Sequence, residues 1–371
     1  MMEIPEGLVT AQTTYNGALG RAFVAVLPER AAVFLRRWRL TRDGPAMSGT
    51  CALVLPVRRA DGTPAALKLQ HLDEETEGEP VALRAWGGLG AVRLLEHDAE
   101  TGTMLLERLD SARHLTSVAD SRDAVLVIAG LLARLTAVRA PGGLRDLGTI
   151  ARDTAARAPV VRRIADPRAR RVLEDCAAAL EGLIAAADAT GEAEAQAAEV
   201  GAAQAEAQAE RAAVARPGGQ PSAGAGGPSA GSGGPFAGAG GHAAAGASGA
   251  SGETGGSGER RGSGGFGDRL LHWDLHFGNV LAGGREPWLA IDPKPLAGDP
   301  CFELFPALHN RFEASEVVWR FDAMTDVLGL DRARARNWTL VRVLQFCLWD
   351  VGQGRPPGAR QLEVARRLLG R

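Results

Sequence analysis

Between positions 272 and 292 the chain concentrates side chains that can move protons and hold cations. The run HWDLHFGNVL puts His272, Asp274, His276 and Asn279 within eight residues. An apolar stretch, PWLAID, then ends on Asp292, and Gly283 and Gly284 mark a turn between the two. A loop bearing an acid and an amide, a short strand, a turn and a second strand tipped by an acid is the layout that phosphoryl transfer needs. One Asp orients and deprotonates a hydroxyl, while an Asn and a second Asp hold Mg2+ against nucleotide phosphates. The competing chemistry is zinc binding by His272 and His276, at i and i+4, with Asp274. No cysteine lies nearby and no HExxH is present. The histidines are therefore read as orienting the loop backbone.

These groups need elements to position them. Of the 42 basic residues only two are lysine, Lys68 and Lys294. Arg serves wherever any positive charge suffices, so a retained ammonium marks a place where a compact cation matters. Lys68 lies in AALKLQ, 65–70, the second strand of a hairpin whose first strand is CALVLPVR, 51–58, with Asp61-Gly62 at the turn. Ahead of it, the pattern over 22–40 predicts an amphipathic helix beginning after Pro28. After it, an acidic stretch leads into a helix with Glu79 and Pro80 at its start. A strand pair follows near 91–96 and 103–108, and from 120 onward the reading is helical. Near the C-terminus, RARNWTLVRVLQFCLWDV reads as a long helix with Trp338, Leu344 and Trp349 in the core.

The composition breaks once. Residues 192–210 are rich in Ala, Glu and Gln, which suits a helical extension without an apolar stripe. Residues 217–265 hold 20 glycines in 49 positions and cannot repay their ordering entropy, so this stretch is expected to be disordered. The organisation read from this is 1–108 as a strand-rich N-lobe that binds nucleotide, 109–190 as the first part of a helical C-lobe, 191–265 as a low-complexity insertion, and 266–371 as the rest of the C-lobe with the catalytic loop. Net charge is -2 over 371 residues. That argues against a general nucleic-acid binder and against an anionic membrane surface as partner. No apolar run reaches the length of a membrane span. Four cysteines at 51, 176, 301 and 347 show no metal or disulfide spacing, and the N-terminus lacks a secretory pattern. The expected setting is the cytoplasm.

The segment HWDLHFGNVL, with IDPKPLAGDPCFELFPALHNRF behind it, resembles the aminoglycoside phosphotransferase family, in its streptomycin 6-kinase and hydroxyurea phosphotransferase branch. The likeness extends to LPERAAVFLRRWRL, the ALKL strand and MLLERLD, and covers nearly all of the chain outside the insertion. It implies an α+β, two-lobed, protein-kinase-like fold with a small strand-rich N-lobe and a mostly helical C-lobe. It also implies ATP and Mg2+ as cofactors. By this resemblance Asp274 is the catalytic base, Asn279 and Asp292 are the Mg2+ ligands, and Lys68 contacts the α- and β-phosphates. Glu79 pairs with Lys68, with Glu74, Glu75 and Glu77 as neighbouring alternatives. Glu107 lies in the hinge that binds adenine. Ser48 and Gly49, in MSGT, form a reduced phosphate loop that lacks GxGxxG. Pro295 and Glu303 depart from the Gly and Asp usual in the branch. Lys294 is placed to contact phosphate or lock a carboxylate, and Asp299 to cap the following helix.

The acceptor implied is a small molecule: an aminoglycoside, streptomycin at its 6-hydroxyl first, with hydroxyurea or another metabolite as the alternative. For a cationic acceptor, Glu303, Glu313, Asp322 and Asp350 are the acids expected along its cleft. A non-catalytic, kinase-like nucleotide-binding protein is the reading from another class. A monomer or weak dimer is expected.

Overall fold

Strand alternation sorts the N-terminal hairpin into two faces. Leu53, Leu55, Val57, Leu67 and Leu69 point to one side, where they pack with Phe23, Leu27 and Phe34 in a small apolar core. Ala66 and Lys68, on the other face, are left to the site. The computed structural model describes residues 2–49, 51–214 and 265–371. Its chain opens with α1 (Glu6–Arg37) and continues through β1 (Thr41–Arg42), β2 (Met47–Ser48), β3 (Ala52–Arg58), β4 (Pro64–Gln70), α2 (Glu79–Trp86), β5 (Leu94–Asp98) and β6 (Thr103–Glu107). The strands form one antiparallel sheet in the order β1-β3-β4-β6-β5, with β2 paired to β3. Lys68 sits on the central strand β4, opposite Val54 of β3 and Met104 of β6.

The helix read over 22–40 starts far earlier than Pro28. It begins at Glu6, and the chain passes through a non-helical kink at Gly17. Leu8, Gln12, Gly20, Phe23 and Leu27 are buried along it. Pro28 falls inside this helix rather than ahead of its start.

The second half is mostly helical. It comprises β7 (Asp110–His114), α3 (Ser121–Leu135), β8 (Arg145–Asp146), α4 (Leu147–Arg157), α5 (Pro167–Val214), β9 (Arg269–Leu271), β10 (Val280–Ala282), β11 (Leu289–Ala290), β12 (Leu296–Gly298), α6 (Phe305–His309), α7 (Val317–Leu328), α8 (Arg332–Gly352) and α9 (Ala359–Leu368). Two small sheets carry the loops of interest, β11-β10-β7 and β8-β12-β9. A larger apolar core lies beneath them, built from α3, α8 and the first turns of α5. Trp338 and Leu344 are buried in it, whereas Trp349 is 44% exposed and carries the Arg355 guanidinium over its ring at 4.4 Å. Leu348 and Val351 beside it still reach the core, so Trp349 lies on the outer side of α8.

Contacts divide the chain into one unit, Met1–Gly191 with Ser263–Arg371, and a second, Glu192–Gly262. The Ala/Glu-rich stretch is helical, as part of α5. Residues 215–264, which hold nearly all of the stretch expected to be disordered, lie outside the described residues. Among the described residues no helix is long and apolar enough to cross a membrane.

Candidate active site

The loop that carries His272, Asp274 and Asn279 joins β9 to β10, and a short 3-10 turn, Phe277–Asn279, closes it. His272 and His276 hold this loop together. The His272 Nε2 lies 3.1 Å from Ile291 O, and the backbone N–H of Lys294 donates to His272 O at 3.0 Å. Burial drives the His272 imidazole down to about 3, so the ring is neutral and donates from Nε2. Nδ1 of His276 accepts from the Gly278 N–H at 3.0 Å. His272 thus fastens the loop to the segment carrying Asp292, and His276 ties the loop to itself. Among the described residues no group of three or more His, Cys, Asp or Glu is placed to hold a metal.

Asn279 is fixed in orientation. Its Nδ2 donates to Asp274 O at 2.9 Å, so Oδ1 is the atom left to the cleft. The Ile291 N–H donates to Asn279 O at 2.9 Å, which draws Asp292 alongside. Asp292 and Trp273 both have positive φ, 58° and 66°, a region that side chains rarely adopt. Backbone strain of this kind persists only where the surrounding structure enforces it.

Lys68 completes the cluster. It is 4% exposed, and its Nζ lies 2.7 Å from both Glu79 oxygens and 2.6 Å from Asp292 Oδ1. Glu79, at the start of α2 and 1% exposed, is the partner among the four glutamates considered. Glu75 instead pairs with Lys294 at 2.7 Å. Burial alone pulls the Lys68 ammonium down, but Asp292 and Glu79 outweigh it and keep the ammonium charged. Lys68 in turn holds the Asp292 carboxyl below its usual range. Burial pushes Glu79 up to about 7, against the pull of Lys68. Asp274, two residues beyond His272, also has its carboxyl pushed up by burial, with Lys294, His276 and Arg342 pulling the other way.

A cleft of about 280 Å³ adjoins Lys68, Asn279 and Asp292. Val54, Ala66, Val92, Leu106, Leu281 and Ile291 give it apolar walls from both halves of the molecule. Ser48 and Gly49 border it from the β2–β3 hairpin, whose closing Gly49 N–H already donates to Ala52 O at 3.1 Å. Glu107 borders it as well. Its carboxylate, however, is bound to Arg285 at 2.7 Å and to the Arg93 N–H at 2.8 Å, so that side chain braces the hinge.

Arg108, read with Glu107 as part of the hinge, lines the cleft, as do Ser111 and His114, which sequence reasoning passed over. Ser111 and His114 lie three positions apart on β7, so strand alternation could not mark them together. The acids expected to line an acceptor cleft are engaged elsewhere. Glu303 is fully buried and accepts the Trp273 N–H, Asp322 pairs with Arg332 at 2.7 Å, and Asp350 pairs with Arg355 at 2.8 Å. Glu313 accepts from Ser315 Oγ at 3.0 Å.

Known proteins share this architecture. A choline/ethanolamine kinase family protein from Mesorhizobium loti superposes with a TM-score of 0.50 at 14% identity, over 92% of each chain. That likeness shows a protein-kinase-like fold. The chain is 51% identical over 375 residues to a hydroxyurea phosphotransferase of Kitasatospora aureofaciens, covering 100% of this chain and 87% of that protein. It is 42% identical over 363 residues to a streptomycin 6-kinase of Streptomyces glaucescens, covering 95% of this chain and 92% of that one. The model of the aminoglycoside/hydroxyurea antibiotic resistance kinases matches residues 37–194 and 263–354, a span that holds Lys68, Glu79, Asp274, Asn279 and Asp292. The chain therefore belongs to the aminoglycoside/hydroxyurea antibiotic resistance kinase family.

Proposed function

We propose that this protein is an ATP- and Mg2+-dependent phosphotransferase that moves the γ-phosphoryl group to the hydroxyl of a small molecule, with hydroxyurea as the leading acceptor. The observation that carries the reading is the convergence of Lys68, Glu79 and Asp292 within 2.7 Å, on one cleft with Asn279. Such a cluster places one fixed cation beside two oxygen donors, Asn279 Oδ1 and an Asp292 carboxylate held ionised. This donor set suits Mg2+, which takes one or two protein oxygens and fills its remaining positions with phosphate and water. When bound there, the metal would neutralise charge developing on the transferred phosphoryl group.

The chain's own groups do the rest. The apolar walls around Ala66 and Leu281 accept adenine, and Lys68, braced by Glu79, meets the phosphates. Asp274 takes the proton of the acceptor hydroxyl. The acceptor oxygen bonds to the γ-phosphorus as the bond from phosphorus to the β,γ-bridging oxygen breaks, and ADP leaves with that electron pair. Burial brings the Asp274 carboxyl closer to neutrality than an exposed Asp, which suits a group that must hold and then release a proton. Most of the acceleration in such a site comes from positioning and fixed charge.

Full-length identity of 51% to a hydroxyurea phosphotransferase supports the acceptor, as does the engagement of Glu303, Asp322 and Asp350, three of the four acids expected for a polycation. Streptomycin is the second reading, favoured by 42% identity to a streptomycin 6-kinase. The test is incubation with ATP, with and without Mg2+, and with each candidate acceptor, read by product mass. One phosphoryl group gained on hydroxyurea only with Mg2+ is the expected result. The same gain on streptomycin alone would reassign the acceptor, and no gain on any acceptor would leave a nucleotide-binding role.

A further inference from the structure

Arg342 is a buried cation that the mechanism above does not use. It lies on α8 and is 4% exposed. Its guanidinium carbon sits 4.9 to 5.9 Å from the ring centroids of Phe302, Trp273, Phe346 and Phe305. Its hydrogen bonds are long, 3.4 Å to Gln345 Oε1 and 3.4 Å to Trp273 O, and its Nε has no partner. It forms no ion pair with a described residue. Burial lowers its guanidinium to about 10, so it remains protonated at neutral pH. Arg145, half-buried on β8, repeats the pattern. Its guanidinium carbon lies 4.6 Å from the same Trp273 ring, and its Nε and Nη2 are buried without partners.

A buried charge left without a counter-charge or full hydrogen bonding is costly. Two such guanidinium groups on one indole, next in sequence to Asp274, form a site that lacks an acceptor oxygen. Asp274 attracts Arg342 without forming an ion pair with it, and the other nearby acids are engaged. Glu303 is spent on the Trp273 N–H at 2.9 Å, and Glu75 on Lys294 at 2.7 Å. Trp273 itself is pinned at both ends of its backbone, by Glu303 and by Arg342, with φ at 66°.

We propose that Arg342, Arg145 and Trp273 form the acceptor subsite, and that it takes a small planar molecule whose hydroxyl stands beside a carbonyl oxygen: an N-hydroxyurea or, more widely, a hydroxamic acid. This rests on the phosphotransferase reading. The guanidinium groups donate to the carbonyl oxygen, the indole face covers the planar amide, and the adjoining hydroxyl falls to Asp274. A guanidinium-bearing aminocyclitol meets like charge from Arg342, Arg145 and Lys294, which disfavours it.

The test compares hydroxyurea, acetohydroxamic acid and streptomycin as acceptors for the full chain with Mg·ATP, then repeats the kinetics with Arg342→Gln, Arg342→Lys and Arg145→Gln. Acetohydroxamic acid is expected to be phosphorylated. Each glutamine variant is expected to raise the KM for hydroxyurea about tenfold or more, with the KM for ATP within about twofold of the parent, and lysine at 342 to recover part of the loss. Arg145 is half-buried on a short strand, so its variant carries the test if Arg342→Gln fails to fold. Unchanged acceptor KM in the folded variants, or streptomycin turning over better than both planar acceptors, would overturn the subsite and leave phosphotransfer standing. No phosphorylation of any acceptor would overturn both.

Discussion

At the scale of single residues the site mixes groups that are local in sequence with groups that are not. Asp274, Asn279 and Asp292 fall within one short segment, so their spacing alone suggested their chemistry. Lys68 stood out because the chain has so few lysines. Its second partner, Asp292 at 2.6 Å, is 224 positions away and left no trace in the sequence. Arg342 and Arg145 were hidden for a different reason, since arginine is the default cation here and nothing marks two of them. Glu303 offers a test of burial at this scale. Its oxygens accept the Trp273 N–H, at 2.9 and 3.2 Å, and burial pushes its carboxyl up from 4.5 to about 7. Between those values the folded protein keeps a proton that the unfolded chain has released, so this residue makes stability fall as pH rises through the window. His272 acts in the opposite sense. With its imidazole depressed to about 3, stability is lost as pH drops below its ordinary 6.5. Glu303→Gln keeps the histidine contribution and removes the other. Thermal unfolding of this variant between pH 5 and pH 7.5 should therefore show Tm falling less, or rising more, with pH than in the parent. Parallel curves would show that Glu303 does not titrate in that range.

At the scale of elements, caps and turns were the most legible features, because their signals sit in a few adjacent residues. Asp299 is read from the sequence as a cap, and its Oδ1 accepts the Cys301 N–H at 2.9 Å. The structure adds what the sequence did not display. The other oxygen binds the Trp338 indole at 3.1 Å and the Arg334 guanidinium, tying the segment behind Asp292 to α8. Asp299→Ala removes a cap and strands a buried indole N–H. We expect a loss of about 2–4 kcal/mol in urea unfolding. A loss under about 0.5 kcal/mol would mean that water replaces the carboxylate without penalty. The start of α1 was illegible by the same logic. The residues near Gly17 are polar and mostly exposed, and the chain kinks there, so little but Leu8 and Gln12 marks a buried face in the first half.

At the scale of the whole molecule, the strand-rich and helical halves were apparent from the change in hydrophobic period. The break in composition marked the insertion. Its two ends leave the fold from one place: a Cβ on Gly265 would lie 2.5 Å from Ala187 Cα, and Gly265 O accepts from Arg334 at 2.7 Å. Replacing Glu192–Gly262 with a short Gly/Ser linker should thus leave kcat and Tm close to the parent, with closure entropy changing by only about 1 kcal/mol. A large drop in kcat with Tm unchanged would give that segment a part in turnover. The claim that unites the molecule is that both halves meet to pass a phosphoryl group to a hydroxyl held by Asp274. Single-turnover transfer from ATP to hydroxyurea, in the parent and in Asp274→Asn, tests it most directly when nucleotide affinity is measured on the same samples. The account predicts a fall of about 100-fold or more in the transfer rate, with nucleotide affinity nearly unchanged. Transfer by Asp274→Asn at the parental rate would contradict it.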